Sequence, residues 1–454
     1  GADVNARGGH HEGNALTAAS AEGHEPIAKL LLESGADVNA PGGEYGNALT
    51  AASAEGHEPI VKLLLESGAD VNVPGGEYWN ALQRASYGGH EQIVKLLLDS
   101  GADVNAQYGK YGNALTAASA GGHEQIVKLL LESGAEINAP GGEYGNAILT
   151  ASDGGFEQVV KLLLDSGADI NAQSIKYGNA LTVASAGGYK QIVKLLLKSG
   201  AEVNTQGEEY GNALTAASAR GNEQIVKLLL DSGADINARG KYWSKAVRDS
   251  AYHSRKSRRD GNALQAASAR GHKQIVKLLL GSGANVNAPG GHYSNALTEA
   301  SDGGHEQIVK LLLESGANAN APSGNYGSAL MAASRRGYEP LVKLLLESGA
   351  DVNASGGFHG NALTAASAGG YELIVKLLLE SGADVNEQDG HYGNALTAAS
   401  AECHERVVKL LLGSGADMNA QSKNYGNALT AASARGYKHI IKTLRAWSKL
   451  PGEN

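Results

Sequence analysis

The sequence predicts an all-α solenoid: pairs of short antiparallel helices stacked side by side, with a hairpin-like finger projecting between consecutive pairs. Two observations carry that prediction. An Asn opening the phrase Asn-Ala-Leu-Thr-Ala-Ala-Ser, or a close variant, recurs every 33 residues at Asn14, Asn47, Asn80, Asn113, Asn146, Asn179 and Asn212. After one gap of 50 it resumes at Asn262, Asn295, Ser328, Asn361, Asn394 and Asn427. A period of this length marks stacked supersecondary units, each too small to bury a core alone. Glycine supplies 62 of 454 residues while Phe and Met supply two each, against a usual glycine share of about 7%. Small residues therefore hold set places in every unit. With 42% hydrophobic and 19% charged residues, the chain can bury a core rather than remain disordered.

One unit, read from Asn47, supplies the elements in order. Asn47 suits a helix N-cap, because its side-chain oxygen can accept a hydrogen bond from a first-turn N–H. The first helix runs to about Ala54, and Gly56 ends it in the left-handed conformation that glycine adopts without strain. Glu58 opens a second helix with Ile60, Val61, Leu63, Leu64 and Leu65 on its apolar side and Glu58 and Lys62 spaced for an ion pair. Gly68 closes it. The stretch from Ala69 to Trp79, rich in Asp, Asn, Pro and Gly, predicts the finger.

The phrase Gly56-His57-Glu58-x-Ile60-Val61-Lys62-Leu63-Leu64-Leu65 and the tail Gly68-Ala69-Asp70-Val71-Asn72 resemble the ankyrin repeat. The resemblance spans the chain apart from a 17-residue insertion and the last few residues. It implies a right-handed ankyrin-repeat solenoid, binding other proteins through its fingers and the concave face of its first helices. Where the ankyrin consensus opens the first helix with Thr-Pro-Leu-His, this chain has Asn-Ala-Leu-Thr. Asn still caps, but the Thr to His hydrogen bond is lost, so more fraying is expected. The near-identity of the units is similar to the long ankyrin arrays of fungal multidomain, NACHT receptor-type proteins. Residues 1–13 read as the finger of a truncated preceding repeat, 14–240 as repeats 1–7, 241–258 as a basic insertion, 259–426 as repeats 8–12, and 427–454 as a capping repeat and tail. The natural protein is thus expected to extend upstream. Thr443-Leu444-Arg445 replaces the leucine run with polar residues, as a terminal cap requires, and Asn454 reads as a true end.

Several function classes are disfavoured. A net charge of −9 opposes non-specific nucleic-acid binding, which needs Lys and Arg to displace phosphate counterions. No apolar run approaches the ~20 residues that span a bilayer. One cysteine, Cys403, precludes an intrachain disulfide and fits a reducing compartment, so a cytoplasmic location is expected, with the nucleus left open. Phosphate-loop, Gly-x-Ser-x-Gly and His-Glu-x-x-His motifs are missing from the sequence. No catalytic, cofactor-binding or metal residues and no small-molecule substrate are therefore expected. Seven histidines share one column: His24, His57, His90, His123, His272, His305 and His404. Neighbouring helices stack at about 8–10 Å whereas zinc ligands lie about 2 Å from the metal, so column members are not expected to share an ion. Phe156, Tyr189, Asn222, Tyr338, Tyr371 and Tyr437 stand there in other repeats. The expected role is packing or hydrogen bonding between repeats.

The candidate partner-binding residues lie on the fingers. Glu44, Glu77, Lys110, Glu143, Lys176, Glu209, Arg259, His292, Asn325, Phe358, His391 and Asn424 differ in sign and size over an unchanging scaffold. They are either unconstrained solvent-facing residues or the column that sets specificity. Beside them run Tyr45, Tyr78, Tyr111, Tyr144, Tyr177, Tyr210, Tyr293, Tyr326, Tyr392 and Tyr425. At the helix-layer spacing of ~10 Å these rings are not expected to stack on one another; each packs at the base of its own finger or anchors a partner. The concave face reads as a monotonous row of Thr50, Thr116, Thr182, Thr215, Thr298, Thr364, Thr397 and Thr430, relieved by Gln83, Gln265 and Met331. The insertion carries seven basic and two acidic residues between 241 and 260. It reads as a loop extending a finger, as a basic grip for an acidic surface, or as a gene-model artefact, since Gly240-Lys241-Tyr242 can be encoded by GGTAAGTAT, which resembles an intron start. The expected function is a monomeric, non-enzymatic scaffold for a protein partner. The alternative is the C-terminal ligand-sensing region of a larger nucleotide-hydrolysing receptor whose catalytic domain lies upstream of residue 1.

Overall fold

The computed structural model describes residues 3–6, 13–75, 79–243, 258–290, 294–321 and 327–448, with the backbone alone at 241–243 and 258–260. Asn47 Oδ1 accepts the Thr50 N–H at 2.7 Å, and the same cap recurs from Asn14 to Asn427, with Ser328 serving Met331. The helix Ala48–Glu55 ends at Gly56, φ 81°, where the His57 N–H reaches back to the Ala52 carbonyl at 2.9 Å. Glu58–Glu66 follows and closes at Gly68, φ 85°, with the Ala69 N–H on the Leu64 carbonyl. Both endings satisfy carbonyls that a helix terminus otherwise leaves bare. There are 26 such helices among the described residues. Each is too short to persist alone in water, so packing must hold them.

The chain forms two compact bodies, Gly1–Ala213 and Leu214–Asn454. Within each, the first helix of a repeat lies against the first helix of the next, and each second helix lies against its own first helix and the next second helix. In the first body Ala48–Glu55 sits between Ala15–Ala21 and Ala81–Gly88; in the second Ala329–Arg336 sits between Ala296–Asp302 and Ala362–Gly369. Ala51 and Ala52 are fully buried, which lets the first helices approach closely, while Ile60, Val61 and Leu64 fill the layer behind them. Burying each of these larger side chains contributes about 1.5–3 kcal/mol. Where ion pairs form at this spacing, some run opposite to the expected Glu58–Lys62 order, as in Lys128–Glu132 at 4.0 Å and Lys376–Glu380 at 3.8 Å. Glu405–Lys409, at 2.7 Å, follows the expected order. These side chains are largely exposed, so such pairs matter little to stability.

The insertion is absorbed without disturbing the stack. Gly240–Trp243 pairs antiparallel with Arg258–Gly261, Gly240 opposite Gly261, which lengthens a finger whose counterpart one repeat earlier has a single Gly207–Gly211 bridge. Across it, His272 Nε2 still meets the Ala219 carbonyl at 3.3 Å and the Asn285 N–H still meets Asn237 Oδ1 at 2.9 Å. The interior of the insertion, 244–257, lies outside the described residues.

Cys403 is the one non-glycine residue with positive φ among the described residues, 67°. Cys403→Gly should stabilise the second body by about 1 kcal/mol, read as a higher urea midpoint. Deleting Tyr242–Arg258 restores the regular spacing and should change stability by less than about 1 kcal/mol, since loop length weighs only logarithmically; a large loss of midpoint would show that the insertion is part of the packing.

Candidate partner-binding surface

Two ladders of hydrogen bonds join consecutive repeats. In the histidine column, His57 Nε2 meets the Ala21 carbonyl at 2.9 Å, His90 meets Ala54 at 3.1 Å and His404 meets Ala368 at 2.9 Å. A carbonyl only accepts, so the proton sits on Nε2. The ring also lies over the glycine that ends the preceding first helix: a Cβ on Gly56 would come within 2.5 Å of His90 and one on Gly155 within 2.4 Å of Tyr189. Packing and hydrogen bonding between repeats is thus the column's observed role. The second ladder runs through the tail motif. Asn39 Oδ1 accepts the Asp70 N–H at 2.8 Å while its Nδ2 donates to the Gly68 carbonyl at 3.3 Å. Asn72 and Asn353 repeat the pattern one repeat onward each time.

The fingers are tight turns closed by single bridges such as Gly42–Gly46, Tyr108–Gly112 and Asp389–Gly393. Their tips touch along the stack: the Glu209 N–H donates to the Lys176 carbonyl at 2.7 Å and the His391 N–H to the Phe358 carbonyl at 2.8 Å. The expectation that the rings stay apart is overturned. Ring centres lie 5.2 Å apart for Trp79–Tyr111, 5.1 Å for Tyr111–Tyr144, 6.1 Å for Tyr177–Tyr210 and 5.3 Å for Tyr392–Tyr425. Helix-layer spacing is measured between axes, whereas these rings sit at the ends of long side chains that lean along the stack. Some also pack at the base of their own finger, as expected: the Tyr45 hydroxyl donates to Glu55 Oε1 at 2.8 Å and the Tyr392 hydroxyl to Glu402 Oε1 at 2.9 Å. The Glu55 hydrogen bond, then burial, raises the Tyr45 pKa. For Tyr111, burial and the neighbouring Tyr87 do the same.

Among the fingertip candidates Glu44, Lys110, Glu143, Phe358 and Asn424 are exposed, whereas Lys176, Glu209 and His391 are half-buried. Lys176 reaches Glu143 at 3.5 Å and lies 4.8 Å from the Tyr177 ring centre. Phe358 stacks on His391 at 4.6 Å, and Asn424 Nδ2 donates to the His391 carbonyl at 2.9 Å. Glu77, Tyr78, His292, Tyr293, Asn325 and Tyr326, with the side chain of Arg259, lie outside the described residues.

The concave row needs correction. Thr50, Thr116, Thr182, Thr215, Thr298, Thr364 and Thr397 are at most 2% exposed, as are Gln83, Gln265 and Met331; only Thr430, in the last repeat, is exposed. The next repeat's finger covers them. Gln83 acts as an internal fastener: its Oε1 accepts the Asn80 N–H and its Nε2 donates to the Gly112 carbonyl at 2.7 Å. The accessible inner face is set instead by the far end of the first helix, including Tyr87 and Asp153. There a cleft of about 210 Å³ opens among Tyr111, Tyr144, Tyr177, Thr150, Asp153 and Gly154.

In the second body the same groove is filled by the chain's own polar groups. Asp302, 3% exposed, accepts hydrogen bonds from Arg335 and Arg336, and Glu299 Oε1 accepts one from Ser294 at 2.8 Å. His359 occupies the finger place that Tyr392 holds in the next repeat. Burial first, then the nearby Arg335 and His391 charges, lowers its pKa to about 4. No helix among the described residues is long and apolar enough to cross a membrane, and no group of three or more His, Cys, Asp or Glu among them could hold a metal ion.

A family profile described as ankyrin repeats (3 copies) matches residues 1–75, 49–141, 147–240, 249–323 and 319–389, and one described as ankyrin repeats (many copies) matches 214–280 and 396–445. The chain belongs to the ankyrin-repeat family. No curated protein matched the sequence. Ankyrin repeats are generally protein-interaction modules and typically non-catalytic. In this ankyrin array, sequence reasoning passed over Asp153, Asp302, Arg335 and His359. The signal was present: each interrupts a column that reads mostly Ala or mostly Tyr.

His359 is held neutral in the fold, while the unfolded chain takes up that proton near pH 6.5. Its contribution is therefore complete above 6.5 and lost as pH falls toward about 4, by up to roughly 3 kcal/mol. His359→Tyr should reduce the fall in urea midpoint between pH 7 and pH 4.5 relative to the parent. His272 and His305, lowered by burial in the same direction, leave a residual slope.

Proposed function

We propose that this chain is a non-enzymatic scaffold that holds a protein partner against its finger row and the groove beside it. The observation that supports the reading is a division of labour within each repeat. Caps, glycines and the Asn ladder face the neighbouring repeat and hardly vary, and the ring column beside them changes mostly among His, Tyr and Phe. The exposed fingertips Glu44, Lys110, Glu143, Phe358 and Asn424 vary in charge and shape. Residues free to vary without unfolding the array are those able to distinguish partners, and aromatic side chains beside them supply anchoring area. Glu77, His292 and Asn325, with Tyr78, Tyr293 and Tyr326, join this surface by their column alone. A monomer in the cytoplasm suits the single cysteine and net charge of −9.

A partner recovered by pull-down from source cells, then titrated against variants, tests the reading. Glu44→Lys with Glu143→Lys should weaken association by about tenfold, mostly through the on-rate and salt dependence, while stability stays within about 0.5 kcal/mol of the parent. Leu64→Ala, in contrast, should cost about 2–5 kcal/mol of stability. Unchanged affinity across fingertip variants would move the site off the fingers.

A further inference from the structure

The second body shows what chemistry this groove accepts. Asp302 ends the first helix of repeat 9 and receives two guanidinium groups from repeat 10. Arg335 Nη2 and Arg336 Nε both donate to Oδ1, the latter at 3.0 Å, and Arg336 Nη2 donates to Oδ2 at 3.3 Å. Asp153 stands at the same place in repeat 5, and repeat 6 supplies Ala186 and Gly187 where repeat 10 supplies the two arginines. With those two small residues the groove stays open as the 210 Å³ cleft, and Asp153 is exposed within it. Its aromatic side has a parallel too. One stack earlier, the Arg84 guanidinium lies over the Trp79 ring, 4.6 Å from its centre, with Tyr111 in contact with the same indole at 5.2 Å.

We propose that the cleft formed by Tyr111, Tyr144, Tyr177 and Asp153 receives an arginine side chain from an exposed segment of a partner protein, which rests on the scaffold reading above. The guanidinium plane lies against the tyrosine rings while its N–H groups donate to the Asp153 carboxylate. A planar, weakly hydrated fork suits both surfaces at once, which a compact ammonium does not. Lys176 is engaged with Glu143 at 3.5 Å and sits over Tyr177, where it marks the affinity of this row for cations. Thr150, at the place of Arg84, is short enough to leave the floor open.

The test uses four fluorescein-labelled octapeptide pools, random except for one central position fixed as arginine, citrulline, lysine or alanine, titrated with the full chain and read by polarisation. The arginine pool should bind about tenfold tighter than the citrulline pool, which keeps the shape and loses the charge. Asp153→Asn should remove most of that preference, whereas Glu124→Gln, on an exposed second-helix position, should keep it. Ala186→Arg, which copies the place of Arg335, should occupy the cleft from within the chain and weaken the arginine pool. Circular dichroism confirms that each variant is folded. Equal binding of the arginine and citrulline pools would overturn the arginine assignment while leaving partner binding in place. A preference that survives Asp153→Asn would overturn the cleft as its site. Binding of no pool would overturn both this assignment and the peptide-recognition reading on which it rests.

Discussion

Most junctions of the array depend on one contact, the ring of one repeat laid on the bare backbone that ends the first helix of the repeat before it. Gly56 has φ 81°, and a Cβ there would come within 2.5 Å of His90. Glycine is thus required twice, for the left-handed turn and for the space. The ring's Nε2–H satisfies a carbonyl at the same helix end, Ala54 in this case. One residue pair so combines capping, packing and spacing. Phe156 and Tyr189 take the ring's place elsewhere, which shows that filling the space is the shared requirement and the hydrogen bond a local addition.

The scaffold was legible because every step in it is local. Asn47 before an apolar run, Gly56 and Gly68 at the ends of two helical patterns, and the spacing between them place caps, helices and turns without knowledge of the neighbours. Side chains that meet across repeats were less legible. Thr50 looked like a surface residue because its own helix does not bury it; the next repeat's finger does. The tyrosine rings were placed at the spacing of helix axes, though Tyr111 and Tyr144 lie 5.1 Å apart. The Asn39 and Asn72 ladder lay hidden in the tail motif, since its partners stand 29 and 31 residues away.

Nearest-neighbour coupling explains how an insertion can enter such a protein at a finger. What repeat 8 requires of repeat 7 is the Ala219 carbonyl and the Asn237 amide oxygen, and both remain in reach of His272 and Asn285. Extra residues that leave and return through a paired ribbon, Gly240 opposite Gly261, do not alter that geometry. The same coupling lets the groove differ from place to place. Asp302 is neutralised by its neighbour's arginines, whereas the neighbour of Asp153 offers alanine and glycine. Closely similar helices can thereby carry a groove filled by arginines in one body and an open, aromatic one in the other.

Fingertips that touch cannot be read one at a time. His391 stacks on Phe358, accepts Asn424 through its carbonyl and faces the Tyr425 ring at 5.4 Å. Its Nε2 lies 3.1 Å from the Tyr425 hydroxyl, so a change at His391 alters the posture of both neighbours. Residues in one contact network have non-additive effects. A partner lying along the fingers therefore meets a continuous surface whose shape belongs to three repeats together. That coupling limits how freely single fingertips can vary, and it goes beyond the sparse pairs on the exposed faces of the second helices, where Lys376 meets Glu380 within one repeat and Arg406 meets Glu372 across two, each at 3.8 Å.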